Sequence, residues 1–434
     1  MSVRLRAAGV LLILIVASRA EAIPAFARKY GMSCTACHVA WPILNQQGQV
    51  FRDNGYQLGL QKDDPSATSS AYAPLAIRTV PAYELTRTTN QQGVDAQGQP
   101  ATRSNQTGGF GPIGLDVLLG GTFAKDISYL AVLAGFASDE AGAVESAWVR
   151  LSNIAGTGWL NLRAGKFELE VPVSGRRGIS RLAKHAVHKA QFAGSSVAFR
   201  LHDNQAGLEL EGHDERSLTR YSLALVSAES DGSRGVFSAP VVYGHATRMF
   251  ELDSDVLSTV RVGAFGAFGW QPTRFATSDG TTIIPGTGYD HRKYSRVGAE
   301  LAGTFGSPTT PLYWTAVYMR GQEAASAPDA SVATVDNSFD GGYLELIWVP
   351  WANVATNATP WQIIGRYDVV RYEKKLADHD FDGVLLGVRR LLAVGPRASA
   401  ALHFEVHADR TKGAGFDGGA VVTQSALAGV DIAF

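Results

Sequence analysis

Apolar and polar side chains alternate with period two through most of this chain, and that alternation limits the fold more than any other feature. Between Trp361 and Val369, Trp361, Ile363, Tyr367 and Val369 fall on one face of an extended strand and Gln362, Arg366 and Asp368 on the other, because successive Cβ atoms of a strand point to opposite sides. Leu402, Phe404, Val406 and Ala408 alternate in the same way with His403, Glu405, His407 and Asp409, and Leu208 and Leu210 with Glu209 and Glu211. Val297, Ala299 and Leu301 oppose Arg296 and Glu300, and Val260, Val262 and Ala264 share a face with Phe268 and Trp270. No apolar run reaches the roughly 18 residues that a membrane-crossing helix needs. With 39 Lys+Arg against 40 Asp+Glu, the net charge of −1 gives no support to nucleic-acid binding.

Connection lengths say what the strands build. Sixteen candidate strands can be marked off, the first at 73–86 and the last at 423–434. The connections tend to alternate between long, polar ones at 87–110, 168–205, 271–292, 322–339 and 409–422 and short ones at 120–126, 154–158, 214–217, 305–310 and 393–397. Outer-membrane barrels show this asymmetry, with tight periplasmic turns and long extracellular loops. The last segment, Val430-Asp-Ile432-Ala-Phe434, ends on an aromatic, as such barrels do. The expected architecture is mostly β, a transmembrane antiparallel barrel of about 16 strands around an aqueous lumen.

Ahead of the strands stands Cys34-Thr-Ala-Cys37-His38, which holds both cysteines of the chain. Two thiols that add to haem vinyl groups, followed by an imidazole that ligates the iron, make this the attachment motif of one covalent haem c. A thioredoxin-like pair lacks its βαβ context, and a zinc site lacks a second ligand pair. Before the motif, Arg4 and Arg6 precede an apolar run, Ala7 to Ala17, and the small-x-small signal Ala20-Glu21-Ala22. These are the marks of a cleaved export signal. The chain therefore divides into a signal peptide at 1–22, a c-type haem segment at 23–60, a linker at 61–72 and a barrel at 73–434.

Residues 24 to 59, from Pro24-Ala-Phe-Ala-Arg-Lys-Tyr-Gly-Met-Ser-Cys through Trp41-Pro42, Leu44-Asn45, Gly48, Phe51 and Gly55-Tyr56, resemble the monohaem cytochrome-porin fusions of bacterial outer membranes, of the ferrous iron oxidase type. The resemblance is detailed over about 40 residues; over the barrel it rests on pattern, with Gly165-Lys-Phe-Glu-Leu169 as a local echo. It implies Cys34 and Cys37 as attachment points and His38 as proximal ligand. Gln47 departs from it, since an aromatic is expected before the glycine. The resemblance also implies an Fe(II):cytochrome c oxidoreductase, taking electrons from extracellular Fe(II) or another reductant to a periplasmic c-type cytochrome. Two other readings stay open: a transport porin with a redox-sensing or vestigial cytochrome segment, and a conduit running outward to extracellular acceptors.

The second axial ligand is not obvious, because no His or Met occurs between His38 and Leu75. Met32 is one candidate. The others are His188 and His185 in the basic, helical stretch of the 168–205 loop, which is expected to fold into the lumen and bring His188, or less so His185, to the iron. A possible outer Fe(II) loop is Asp378-His379-Asp380-Phe-Asp382, where oxygen and imidazole donors cluster. His403, Glu405, His407 and Asp409 are expected to face the lumen near an outer rim.

Overall fold

The computed structural model describes residues 25–40, 43–59, 63, 74–95, 97–110, 114–133, 144–172, 179–192, 197, 199–227, 240–276, 283–325, 335–352, 361–373, 379–394 and 399–433. The signal peptide, Trp41, Pro42, most of the linker, Asp378 and Phe434 lie outside them.

A single closed antiparallel sheet forms the wall. Its strands are β1 (Leu75–Val80 and Ala82–Val94), β2 (Pro100–Phe110 and Gly114–Ala124), β3 (Ile127–Leu133), β4 (Val144–Leu151), β5 (Asn161–Phe167), β6 (Gln205–His213), β7 (Thr219–Ser227), β8 (Pro240–Glu251), β9 (Leu257–Ala276), β10 (Ile283–Phe305), β11 (Leu312–Ala325), β12 (Val335–Trp348), β13 (Trp361–Tyr372), β14 (Phe381–Val394), β15 (Ser399–Thr411) and β16 (Val421–Ala433). Both pieces of β1 pair with β16, through Arg78 with Ala433 and Leu85 with Ala426, and both pieces of β2 pair with β1. Each counts as one stave, and the staves number sixteen. Pro81 interrupts β1 because it has no N–H to donate, yet its carbonyl still accepts from Val430 N at 3.0 Å, which keeps the seam closed.

The alternation read from the sequence runs around this wall. Leu208, Phe404, Val406 and Leu386 are each more than half exposed on the outside, whereas Glu209, Gln362, Asp368 and Glu405 are at most 2% exposed on the inside. A soluble sandwich has the opposite polarity. Oily outside and polar inside is the pattern of a lipid-embedded barrel. Aromatic pairs ring the end that carries the short turns, among them Phe123 with Tyr129, Trp159 with Tyr221 and Phe305 with Trp314. They mark the membrane interface there.

Three of the expected long loops prove to be largely strand. Residues 87–94 and 100–110 form a hairpin, β9 and β10 extend to 276 and from 283, and β12 begins at 335. These tips stand clear of the apolar band, so their sequence carries no alternation to betray them. The 168–205 connection does leave the wall, and it turns into the bore.

Candidate functional site

The Cys34–Ala36 segment is a 3-10 turn, and His38 opens a short ribbon, His38–Ala40 with Ile43–Leu44. Asn45 fixes this turn. Its Nδ2 donates to the carbonyls of Thr35 (3.2 Å) and Ala36 (3.1 Å), its backbone N–H donates to Cys37 O (2.9 Å), and its Oδ1 accepts from Gly48 N (2.9 Å) as the N-cap of α2 (Gln46–Asp53). Gly48 lets the helix sit on the turn, since a Cβ there would lie 2.0 Å from Cys37 O. Cys37 is a free, half-buried thiol whose pKa burial pushes up. Two cysteines three positions apart on a preformed turn, followed at once by an imidazole, are a donor set that fits a covalent haem c. Gln47, which departs from the resemblance, is exposed.

This segment lies across the bore at the short-turn end. On one side α1 (Ala25–Tyr30) and α2 build an aromatic stack, with Phe26 on Tyr56 at 4.5 Å and Tyr56 on Trp148 of β4 at 5.9 Å. On the other side Val39 packs with Ile347, Ile364 and Leu385 of β12, β13 and β14. Ion pairs lock the end of α2 in place. Asp53 meets Arg220 Nε of β7 at 2.6 Å, and Arg52 and Arg220 each reach Glu170 at 2.8 Å. Arg150 of β4 donates to the last carbonyls of the helix, Arg52 O at 2.9 Å and Asp53 O at 2.6 Å, a favourable place for a cation because the helix dipole is negative there. Burial works against charge on Asp53, but Arg220 and Arg52 outweigh it and hold the carboxyl below its ordinary range.

The described parts of the 168–204 connection turn into the bore and bond to the inside of the wall. Glu405 of β15 accepts from the backbone N–H of Arg181 (2.8 Å) and of Leu182 (2.8 Å), and Asp368 accepts from Ala186 N at 3.1 Å. Arg366 donates to Ala183 O at 2.9 Å. Higher up, Phe192 packs on Phe339 and Tyr372, each at 5.6 Å. His403 and Glu405, expected near an outer rim, lie deeper, 2.5 Å from one another; Glu405 anchors the loop there. Among the described residues of the basic stretch, α3 (Ala186–Lys189) is the helical part.

His185 and His188 are both buried in this loop, at 1% and 2% exposure. Burial, then the neighbouring His185, His202 and Arg366, pushes the His188 pKa well below its usual value, so the ring is neutral. Val39 rests on Ile347 and Ile364, while His185 meets Glu345 and Arg366, two residues further along the same strands. The imidazole therefore sits further outward than Val39. Met32 is half-buried on the haem segment, its N–H donating to Ala27 O at 3.0 Å.

In the outer loop, Asp382 is engaged by Arg371 and, at 2.7 Å, by Lys412, and Asp380 accepts from Tyr372 N at 3.0 Å. His379 lies beside Gly413. Among the described residues no group of three or more His, Cys, Asp or Glu side chains is arranged to hold a metal ion.

No family model matches the chain, and no curated protein matches it in sequence. Solved structures do match in fold. An anion-selective porin from Comamonas acidovorans aligns at a TM-score of 0.48 and 11% identity, over 83% of this chain and 99% of that one. OmpT, an outer membrane protein of Vibrio cholerae, aligns at 0.46 and 14%, over 85% and 99%. Pseudomonas putida OprB aligns at 0.46 and 9%, over 83% and 94%. At such identities the likeness concerns fold alone. The chain is a porin-like β-barrel of sixteen strands, a fold typical of bacterial outer-membrane proteins.

Proposed function

We propose that this barrel is an electron conduit, with one covalent haem c on Cys34, Cys37 and His38, moving electrons from an extracellular donor, Fe(II), to a periplasmic c-type cytochrome. The observation that carries the reading is the Cys34–Ala36 turn seated inside the bore, with the described part of the 168–204 connection bonded to the wall beyond it. A diffusion pore needs wet lumen walls, and here Glu209, Arg366, Asp368, Arg389 and Glu405 are all buried, at no more than 3% exposure. A haem on the turn supplies a one-electron step within an apolar band about 25 Å tall. Asn45 holds the turn, and Arg52, Asp53 and Arg220 hold its segment against the wall. Met32, on the same segment, is the donor proposed for the second axial position, because the rings of His185 and His188 turn to Tyr343. Outer-membrane lipid surrounds the wall after export through a cleaved signal peptide.

The second reading is a transport porin whose haem segment senses redox state, and the barrel itself favours it, since sixteen strands ordinarily enclose an aqueous channel. Both are tested on purified protein. The conduit reading expects a haem stain that survives denaturing electrophoresis and disappears in Cys34→Ala, haem reduction by Fe(II) with reoxidation by a periplasmic cytochrome, loss of both in His38→Ala, and negligible solute conductance. Haem that stays oxidised under excess Fe(II), in a barrel that conducts solutes equally with and without haem, would hand the case to the porin.

A further inference from the structure

Three rings meet in the middle of the bore. His185 and Tyr343 of β12 lie 4.2 Å apart between centroids, His185 and His188 5.6 Å, and His188 and Tyr343 5.5 Å. All three side chains are buried, Tyr343 at 4% exposure. Among the described residues, His185 Nδ1, both ring nitrogens of His188 and Tyr343 Oη have no hydrogen-bond partner. One such orphan in a packed interior is costly; four on three neighbouring rings form a set that expects an occupant.

The other edge of His185 shows what kind. Its Nε2 lies 3.3 Å from Glu345 Oε2. The same Nε2 lies 3.4 Å from Arg366 Nη1, so Glu345 and Arg366 take up that edge of the ring and Nδ1 is the nitrogen left to reach an occupant. Metal-binding histidines are oriented in this way, by a carboxylate on the far nitrogen. Glu345 is itself held by Arg366, 3.6 Å from Oε2, and Arg366 is braced by Asp368 at 2.6 Å. The carboxylate is thus fixed in position.

We infer that His185 Nδ1, His188 and Tyr343 Oη bind a single first-row transition-metal cation inside the bore. Two imidazoles and a phenol suit iron, copper or zinc rather than calcium or magnesium. That the physiological metal is iron rests on the conduit reading, because Fe(II) is its donor; the existence of the site does not. The site lies outward of the haem turn, on the side from which an extracellular cation arrives.

Full-length holo-protein in detergent, cleared of loose metal by a chelator, is loaded with Co(II), which elemental analysis distinguishes from haem iron. Wild type should retain one Co(II) per chain after gel filtration, with imidazole scattering at the cobalt absorption edge. Binding should weaken about 10- to 100-fold in Glu345→Gln and at least tenfold in His188→Ala. Loaded with Fe(III), wild type should show phenolate modes in resonance Raman that Tyr343→Phe lacks. Each variant is admitted only if its heat-modifiable mobility matches wild type, and the two conservative variants, Glu345→Gln and Tyr343→Phe, keep the test decisive should His188→Ala misfold. No retained cobalt in wild type would mean that the trio holds water alone and would overturn the inference. Binding indifferent to all three substitutions would overturn it too, as would a Soret shift in His188→Ala, which would return that imidazole to the haem. Haem reduction by Fe(II) is read separately, so failure of the conduit and failure of this site remain distinct.

Discussion

The wall of the barrel and the contents of its bore share the same sixteen strands but follow opposite rules. Outside, Leu208, Leu223 and Phe404 are about half exposed and need only be apolar. Inside, nearly every buried charge has a named partner: Arg163 with Glu209, Arg150 with Glu211, Arg78 and Arg389 with Asp431. The wall is specified by a pattern and the bore by individual pairs. Substitutions should therefore be absorbed on one face and felt sharply on the other.

The largest stability effect is expected where plug meets wall. Asp53→Asn leaves Arg220 and Arg52 facing a neutral amide in a buried site, a change that costs about 3–5 kcal/mol where one partner of a buried pair is removed. Protease access to residues 25–59 and solute conductance should both rise. The same bond sets a pH limit. Because the folded pKa of Asp53 is depressed, its contribution is complete above the unfolded value of about 3.9 and is lost as pH falls through the lower, folded value. Conductance should hence stay flat from neutrality to about pH 4 and rise below it, and a flat response down to the acid unfolding of the barrel itself would remove Asp53 from this role.

Next comes the wall, challenged with charge. Phe404→Arg should cost about 2–4 kcal/mol if the site lies near the bilayer midplane and about 0–1 near an interface, read as a lower denaturant midpoint in lipid, with no change in haem content. The smallest effect is expected within the bore at Glu405→Gln. It keeps an acceptor for Arg181 N and Leu182 N but gives up the charge, a loss of about 1–2 kcal/mol. Hydrogen exchange should quicken at Arg181 and Leu182 while the strands stay protected. If Phe404→Arg were to disturb haem content, or Glu405→Gln were to loosen the wall, the division between the two faces would be wrong.

Sequence and structure agree where the signal is local or periodic. The strands can be read because the two faces of the wall impose period two. The inward turn of the 168–205 loop can be read from its length and place in the strand order. The partners inside the bore cannot. Asp53 and Arg220 are 167 residues apart, and a lumen-facing arginine in β7 looks in sequence like any other. Tyr343 is hidden for the same reason: it reads as one more aromatic in an alternating strand, and only the loop folded against it gives its hydroxyl a role. β9 and β10 run further than expected, to 276 and from 283, because their outer ends carry no alternation that marks them as strand.

The seat of the Cys34–Cys37 turn inside a closed ring of strands also orders events in the life of the chain. The segment packs on Trp148 of β4 at one side and with Leu385 of β14 at the other, and its second helix is held by Arg150 and, through Arg52, by Glu170. On the conduit reading, a haem joined to those cysteines would be attached most easily while the barrel is still open, before β1 zips to β16. Cofactor attachment would then become a checkpoint on assembly.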